Sequence, residues 1–394
     1  MCEMSQSIQN NENFCILPWV AMQISSDGNI KTCCEQLDSY TQDLSTSLKD
    51  IFDGEKSRAM RSDFKKGLVP KACVSCIKRS KYTSTFKTAK HPQWQHLTND
   101  LLERTSNDGT SNFSIKFLDL RFGNLCNFSC RMCESASSSK LKKIDELIGR
   151  PSFDLVQLDK NPQLIKNIIQ ILPDIGEIYF AGGEPLIMEG HYVILDWLVK
   201  NKPDIKISYN TNLSTTSYKG RDIRFYWEKI RTIEVYPSID SIGSRGEYIR
   251  HGFDWNKFEN NFKFLKNFIC GTNTVFNIFN AFSILELIDY MRSVHQVPVS
   301  IYPLHTPDNM SVTLLSKTLK QQASERINSY ILKNENLYDT TKRHLMLIDK
   351  YMLSQDHSFL SKEFKRVNEI LDIEYRKDFK KTFPELADWY MSIN

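Results

Sequence analysis

Three cysteines within eight residues are the feature that most restricts what this chain can fold around. Cys126, Cys130 and Cys133 are spaced CxxxCxxC. Structural zinc takes four protein ligands, usually as two separated pairs, so three clustered thiols do not complete such a site. A cube-shaped [4Fe–4S] cluster is large enough for one short loop to bind three of its irons. The spacing therefore predicts a cluster whose fourth iron is open to a small molecule.

The rest of the composition argues against a membrane or secreted protein. The chain has 394 residues, 41% of them hydrophobic and 25% charged, and no apolar run reaches the roughly 18–20 residues of a membrane-spanning helix. Residues 1–13 are polar and lack the layout of a signal peptide. The formal net charge of +4 indicates no nucleic-acid surface. Ten cysteines in a large chain without an export signal indicate metal binding, and we expect a cytoplasmic protein without membrane or nucleic-acid partners.

Strand-like and helix-like segments alternate between residues 114 and 305. Short runs rich in β-branched and aromatic residues are separated by amphipathic stretches, such as 255–268, in which Phe258, Phe262 and Leu265 recur at helical spacing. This alternation predicts an α/β fold, either a partial (β/α)6 barrel or a doubly wound sheet, with functional residues at the carboxyl ends of the strands. The predicted strands are 114–122, 177–180, 206–209, 232–238, 272–277 and 297–302.

The two ends of the chain differ from this central segment. Near the N-terminus, two strand-like runs flank Asp27-Gly28, a pair typical of a hairpin turn, and a helical stretch follows at 56–66. A module of this size has a small core, which a bound metal would stabilise. The C-terminal part contains no cysteine and is predicted to be mainly helical. We expect an N-terminal iron–sulfur module at 1–100, a core domain at 101–305 and a helical extension at 306–394.

Three segments follow the cysteine triplet in a characteristic order. Residues 182–185 read Gly-Gly-Glu-Pro after the second predicted strand, and the polar segments 207–212 and 236–240 end the third and fourth, with Arg250 beyond. Together with CxxxCxxC after the first strand, this set resembles the radical S-adenosylmethionine (SAM) enzymes. One departure is Met132, which stands where many members carry an aromatic residue against the adenine, although methionine can pack there.

The resemblance implies that Cys126, Cys130 and Cys133 bind a [4Fe–4S] cluster whose open iron is chelated by SAM. In the family, an electron from the cluster cleaves SAM to a 5′-deoxyadenosyl radical, which abstracts a substrate hydrogen, and the protein positions the cofactors. The glycines allow close backbone approach, and Glu184 accepts from the SAM ammonium. The cofactor-binding residues implied in this way are Gly182, Gly183, Glu184, Pro185, Ser208, Asn210, Asn212, Ser238 and Arg250.

The N-terminal module carries its own cysteines. Segment 14–19 (FCILPW) leads into the hairpin, which ends at Cys33-Cys34, and Cys73 and Cys76 follow. This pattern resembles the SPASM or twitch module, an auxiliary iron–sulfur domain usually found after the radical SAM core. A zinc site built from the same residues is the alternative, and Cys34 is an alternative to Cys33 because adjacent strand residues point to opposite sides. The resemblance implies an auxiliary [4Fe–4S] cluster bound by Cys15, Cys33, Cys73 and Cys76.

Cys2, Cys34 and Cys270 remain outside these two sets. Cys270 precedes the fifth predicted strand, and we expect it to be a small buried residue, with a role as hydrogen-atom donor as the alternative. Tyr302 and His305 end the sixth strand and are further pocket candidates, although a lone histidine there is more often structural.

Three functions are compatible with these observations. The leading hypothesis is a radical SAM oxidoreductase that modifies a peptide, because many relatives with auxiliary clusters crosslink, epimerise or oxidise ribosomally made peptides. The second is a radical dehydrogenase or epimerase of a carbohydrate or a nucleotide-linked small molecule. The third is a non-catalytic iron–sulfur electron-transfer protein. Both enzymes need an electron donor such as flavodoxin or ferredoxin, and the sequence identifies no residue that contacts the substrate.

Overall fold

A computed structural model describes residues 14–79, 94 and 96–393, with side chains except at 77–79. Cys2 lies outside the described residues. The strands are β1 Ala21–Ile24, β2 Ile30–Lys31, β3 Phe117–Leu120, β4 Ser129–Cys130, β5 Glu177–Phe180, β6 Lys206–Thr211, β7 Ser217–Tyr218, β8 Arg221–Asp222, β9 Thr232–Pro237, β10 Arg250–His251, β11 Thr272–Phe276 and β12 Val299–Pro303. The helices are α1 Leu17–Val20, α2 Leu48–Phe52, α3 Glu55–Lys65, α4 Val74–Arg79, α5 Thr98–Arg104, α6 Lys142–Ile148, α7 Pro162–Ile171, α8 Glu189–Asn201, α9 Ile223–Trp227, α10 Gly243–Ile249, α11 Trp255–Phe264, α12 Ile284–Tyr290, α13 Lys317–Lys333, α14 Asp339–Ser354, α15 Ser361–Tyr375, α16 Phe379–Thr382 and α17 Ala387–Ser392.

The chain divides into two compact units. The first comprises residues 1–124, 155–208 and 225–233, and the second comprises 125–154, 209–224 and 234–394. The six predicted core strands are present as β3, β5, β6, β9, β11 and β12, with helices between them, which confirms a mixed α/β fold with a parallel sheet. No helix in the described part of the chain is long and apolar enough to cross a membrane.

The sheet of the first unit includes the N-terminal hairpin. β1 is antiparallel to β2 and parallel to β3, and β3 is parallel to β5. The predicted turn is confirmed, since Gly28 has a φ of +84° and Ser25 N donates to Asn29 O at 2.9 Å. Residues 17–20, directly before β1, form α1, because Pro18 favours the first turn of a helix. The N-terminal module thus extends the parallel sheet through β1, which the sequence did not indicate.

The core of the N-terminal module is held by two buried polar side chains. Trp19 Nε1 donates to Thr105 Oγ1 at 2.8 Å. Arg61 of α3 is fully buried and donates to the carbonyl oxygens of Gly109 at 2.8 Å and Phe52 at 2.9 Å. These contacts tie residues 105–109, which follow α5, to α1 and α3, across the domain boundary expected near residue 100. The predicted domain boundaries stay predictions.

The second unit continues the pattern of parallel strands. Ser238 N donates to Thr211 O at 2.8 Å, isolated parallel bridges join residues 235–238 to 269–273, and β11 is parallel to β12 over their full lengths. The outer edge of β12 is covered by α14. Thr341 Oγ1 accepts a hydrogen bond from Val299 N and donates one to Val299 O. Ile301 N donates to His344 Nδ1 at 2.9 Å. Burial lowers the pKa of His344 to about 4, so the ring stays neutral and can accept this bond.

The predicted helical character of residues 306–394 is confirmed. Three long helices, α13, α14 and α15, account for most of this segment. Their apolar faces contribute Leu345, Ile348, Phe364, Val367 and Leu371 to the core, each no more than 1% exposed.

Candidate metal centres and cofactor site

The cysteine triplet lies on the loop that follows β3, as predicted. Within this loop, β4 pairs antiparallel with β10, so that Cys130 stands opposite Arg250. The Cys130 thiol donates a hydrogen bond to the Cys133 sulfur, and Cys126 lies within electrostatic reach of Cys133. This hydrogen bond, and then burial, raises the pKa of Cys130, and the same bond lowers the pKa of Cys133. The structure therefore brings the three predicted thiols together.

A buried ion pair stands beside these thiols. Arg250 Nε lies 2.7 Å from Asp240 Oδ2, and the two side chains are 11% and 0% exposed. Burial alone would lower the pKa of Arg250, but the Asp240 carboxylate and the Cys130 and Cys133 sulfurs raise it overall, so the guanidinium stays charged. Asp240 is held in turn by Val275 N, which donates to Oδ1 at 2.8 Å.

Two predicted asparagines belong to the same unit as the triplet. Asn212 Nδ2 donates to Asn127 Oδ1 at 2.8 Å and contacts Cys126 Sγ at 3.9 Å. Asn210 Oδ1 accepts from Asn273 Nδ2 at 2.7 Å. Asn212 is therefore next to the thiols, whereas the amide oxygen of Asn210 bonds to the neighbouring strand β11.

The Gly-Gly-Glu-Pro turn follows β5 in the first unit. Gly182 has a φ of +106°, and a Cβ there would lie 3.1 Å from Arg121 Cβ and 3.2 Å from Gly123 O, so only glycine fits this turn. Glu184 is fully buried, and its Oε1 accepts from Leu186 N at 3.1 Å, which caps a turn that begins at Pro185.

The structure also gives the places of Gly183, Ser208 and Ser238. Gly183 N donates to Gly123 O at 3.1 Å, which ties the turn to the loop after β3. Ser208 is buried in β6, and the backbone of Ser238 follows β9. Ser208 and the turn belong to the first unit, whereas the thiols belong to the second.

The four N-terminal cysteines also come together. Cys15 precedes α1, Cys33 follows β2, and Cys73 and Cys76 lie at the start of α4. Burial is the main cause of the raised pKa of Cys33, and the Cys34, Cys15 and Cys73 sulfurs raise it further. Burial and then Cys76 raise the pKa of Cys73 to about 12.

The choice between Cys33 and Cys34 has a structural basis. Cys33 is half-buried and lies beside Cys15 and Cys73, whereas Cys34 is exposed and lies within electrostatic reach of Arg121 and Asp119. The two residues follow β2 in a bend and a turn, outside the regular strand. This arrangement favours Cys33 as the fourth ligand.

Both cysteine sets offer only thiol ligands. Among the described side chains, no three His, Cys, Asp or Glu residues converge closely enough to bind one metal ion. Thiolates are the ligands that iron–sulfur clusters take from proteins, so the chemistry of both sets fits such clusters.

The sequence did not indicate two contacts near the triplet, and one expectation drawn from it was wrong. Asn277 Nδ2 contacts Met132 Sδ at 2.7 Å, and Arg131 is fully buried within the triplet; no local motif indicates either contact. The expectation that Cys270 is buried was wrong, because it lies in an exposed turn before β11. Tyr302 packs its ring 5.3 Å from His344, and His305 packs 4.9 Å from Tyr351.

Family models match two parts of the chain. A model described as the radical SAM superfamily matches residues 120–290, and one described as an iron–sulfur cluster-binding domain, SPASM, matches residues 15–77. The first contains the triplet and the Gly-Gly-Glu-Pro turn, and the second contains the four N-terminal cysteines. No curated protein matches the chain.

The solved structures that this chain is similar to match it at low identity and low TM-score. Native anSMEcpe with bound AdoMet is 15% identical, with 56% of this chain and 60% of that chain covered and a TM-score of 0.39. Streptococcus suis SuiB bound to S-adenosylmethionine is 16% identical, with 81% and 71% covered and a TM-score of 0.40. SuiB bound to its precursor peptide SuiA is 14% identical, with 81% and 70% covered and a TM-score of 0.40. The chain thus spans 60% of the length of anSMEcpe.

Proposed function

Since this chain belongs to the radical SAM superfamily and carries an N-terminal SPASM domain, we propose that it cleaves SAM reductively and abstracts a hydrogen atom from a peptide substrate. The family's cofactors are a [4Fe–4S] cluster and SAM, and the SPASM domain binds an auxiliary iron–sulfur cluster. The observation that carries the proposal is the meeting of Cys126, Cys130 and Cys133 on the loop after β3.

The triplet and its neighbours would hold the first cluster. When bound, this cluster and SAM supply the electron and the radical. Cys126, Cys130 and Cys133 would bind three irons and would leave the fourth to SAM. The charged guanidinium of Arg250 lies beside Cys130 and Cys133, and its buried partner Asp240 keeps it in place. A fixed positive charge there would favour the extra electron of a reduced cluster.

The SAM contacts are proposed from the family resemblance. Gly182, Gly183 and Pro185 would bring the backbone close to SAM, and the Glu184 carboxylate would accept from its ammonium. The contacts proposed along the strand ends are Ser208, Asn210, Asn212, Ser238 and Arg250.

The auxiliary cluster would be bound by the N-terminal cysteines. Four thiolates from Cys15, Cys33, Cys73 and Cys76 complete a [4Fe–4S] cluster and leave no open iron. We therefore assign this cluster to electron transfer or to shaping the substrate pocket, and not to binding the substrate directly.

The substrate class rests on the auxiliary domain. Many radical SAM proteins with such domains modify ribosomally made peptides, and SuiB was solved with the precursor peptide SuiA. Dehydrogenation or epimerisation of a carbohydrate or a nucleotide-linked small molecule is the alternative. A gene for a short precursor peptide beside this one would favour the peptide, and neighbouring glycosyltransferase genes would favour the sugar. Flavodoxin or ferredoxin is the proposed electron donor.

The test is anaerobic reconstitution with iron and sulfide, followed by measurement of iron and of 5′-deoxyadenosine formed with dithionite and SAM. We expect about eight irons per chain, and about four without SAM cleavage when Cys126, Cys130 and Cys133 are changed to Ala. A matched variant, Cys270→Ala, should keep all the iron and the cleavage. A fully loaded protein that never cleaves SAM would leave an iron–sulfur electron-transfer protein as the function.

A further inference from the structure

Arg131 lies between the second and third cysteines of the triplet and is fully buried. Its backbone N donates to Ile249 O at 3.0 Å. Its side chain donates from Nη1 to Asn368 Oδ1 at 2.8 Å and from Nη2 to Asp372 Oδ1 at 2.7 Å. Asn368 and Asp372 belong to α15, and all these residues belong to the second unit. α15 therefore contacts the residue next to Cys130 directly.

Asp372 joins several elements around this guanidinium. It accepts from Tyr248 OH at 2.7 Å and, through Oδ2, from Phe379 N at 2.8 Å. Tyr248 also stacks its ring under Arg131, with the guanidinium carbon 3.7 Å from the ring centroid, and its carbonyl oxygen accepts from Arg131 Nε at 3.0 Å. Every nitrogen of the guanidinium thus has a partner in a fixed direction.

A second contact joins the same helix to the strand that pairs with β4. The ring of Tyr375, the last residue of α15, stacks on His251 with centroids 3.9 Å apart and planes within 4° of each other. His251 lies in β10, opposite Ser129 of β4. α15 therefore contacts β10 and the residue that directly follows β4.

A role in packing alone does not explain this arrangement. Buried apolar side chains commonly stabilise a fold at least as well as a buried ion pair, whose charges must be removed from water. A planar guanidinium with partners on all sides instead fixes the orientation of the backbone that carries it. The neighbours of Arg131 in the chain include two of the three proposed cluster ligands.

We propose that α15 is a positioning element of the radical SAM cluster: Asp372 and Asn368 act through Arg131 to hold the segment from Cys130 to Cys133 in the geometry that retains the cluster. The inference rests on the proposed function, because it assigns the triplet to that cluster. It gives the C-terminal extension a role in holding the cofactor.

The test compares Asp372→Asn with the wild-type chain after full reconstitution. Asn keeps the shape of the side chain and removes the charge that faces Arg131. The electron paramagnetic resonance signal of the SAM-responsive cluster reports its loss of iron to a chelator. We expect this loss to be about tenfold faster in Asp372→Asn than in the wild-type chain. The auxiliary cluster's signal, which SAM does not alter, is the internal reference and should decay at the wild-type rate.

Two further variants and one cluster-free measurement complete the design. Asp378→Asn changes a carboxylate on the same segment that caps α16 through Lys381 N, and it should leave both signals unchanged. Asn368→Ala keeps the Arg131–Asp372 pair and should give an intermediate rate, which also serves if Asp372→Asn does not fold. In the protein without clusters, backbone hydrogen exchange at residues 130–133 should be faster in Asp372→Asn.

Equal rates for wild type, Asp372→Asn and Asn368→Ala would overturn the inference, as would parallel loss of both signals in these variants. A wild-type protein that shows no SAM-responsive signal would instead refute the proposed function, before any variant is compared.

Discussion

Replacing Arg61 with Met tests how the N-terminal module is held together. The side chain is fully buried and donates to Gly109 O at 2.8 Å, Phe52 O at 2.9 Å and Ser57 Oγ at 2.9 Å. Methionine fills much of the same volume but donates no hydrogen bond. Gly109 O is then left without its donor, at a cost of about 1–3 kcal/mol, whereas Phe52 O keeps the hydrogen bond that Ser57 Oγ donates at 2.6 Å and loses only a second bond, at a cost of about 1 kcal/mol.

The expected loss is smaller than the sum of these penalties. Removing the guanidinium also removes the cost of keeping a charge out of water, which offsets part of the change. Asp53 does not balance this charge fully, because its carboxylate lies 3.3 Å from Arg61 and is 41% exposed. We therefore expect Arg61→Met to lower the free energy of unfolding of this module by about 1–3 kcal/mol.

Anaerobic urea unfolding followed by tryptophan fluorescence would measure the change, since Trp19 packs in the same core. Arg104→Met is the matched control. Arg104 is 64% exposed and pairs with Asp100 one helical turn away, so its loss should cost no more than about 0.5 kcal/mol. If Arg61→Met unfolds at the same urea concentration as Arg104→Met, the carbonyls are satisfied in another way and the reasoning fails.

Three other changes have expected outcomes. Burial lowers the pKa of His191 to about 3, so between pH 6.5 and 3 the unfolded chain binds a proton that the folded chain does not. The free energy of unfolding should therefore fall by about 2 kcal/mol from pH 7 to pH 5. His191→Phe should flatten this part of the plot of urea midpoint against pH, and an unchanged plot would contradict this reasoning. Gly182→Ala adds a Cβ that would lie 3.1 Å from its nearest neighbour. Gly149→Ala is the control, because it has similar backbone strain but its Cβ would meet no atom within 4 Å. Only Gly182→Ala should weaken SAM binding, as measured by calorimetry. Cys33→Ser should lower bound iron by about four per chain and Cys34→Ser should not; the reverse result would exchange their roles.

Local patterns were sufficient to predict the core strands and the cysteine loop. β5 and β11 begin where their β-branched and aromatic runs begin, and Gly182 occupies a turn that requires glycine. Such features depend on neighbours in the chain, so periodicity and spacing reveal them.

Contacts between distant residues could not be predicted in this way. Asp372 is 241 residues from Arg131, and in sequence its segment is indistinguishable from an ordinary charged helix face. The open choice between Cys33 and Cys34 had a related cause. Strand alternation was the only rule available, but both residues lie outside the regular strand, where neighbours from elsewhere in the chain decide which side chain faces the other thiols.

The packing of α14 against the edge of β12 has a consequence for folding during synthesis. Thr341, which bonds the backbone of Val299, is 42 residues farther along the chain, and His344 follows it. Because synthesis proceeds from the N-terminus, β12 leaves the ribosome before the helix that satisfies its edge. During that interval the nascent sheet presents unpaired backbone groups on which strands of other chains can pair. The delay between synthesis of β12 and synthesis of α14 thus determines how long the nascent protein is open to aggregation at this edge.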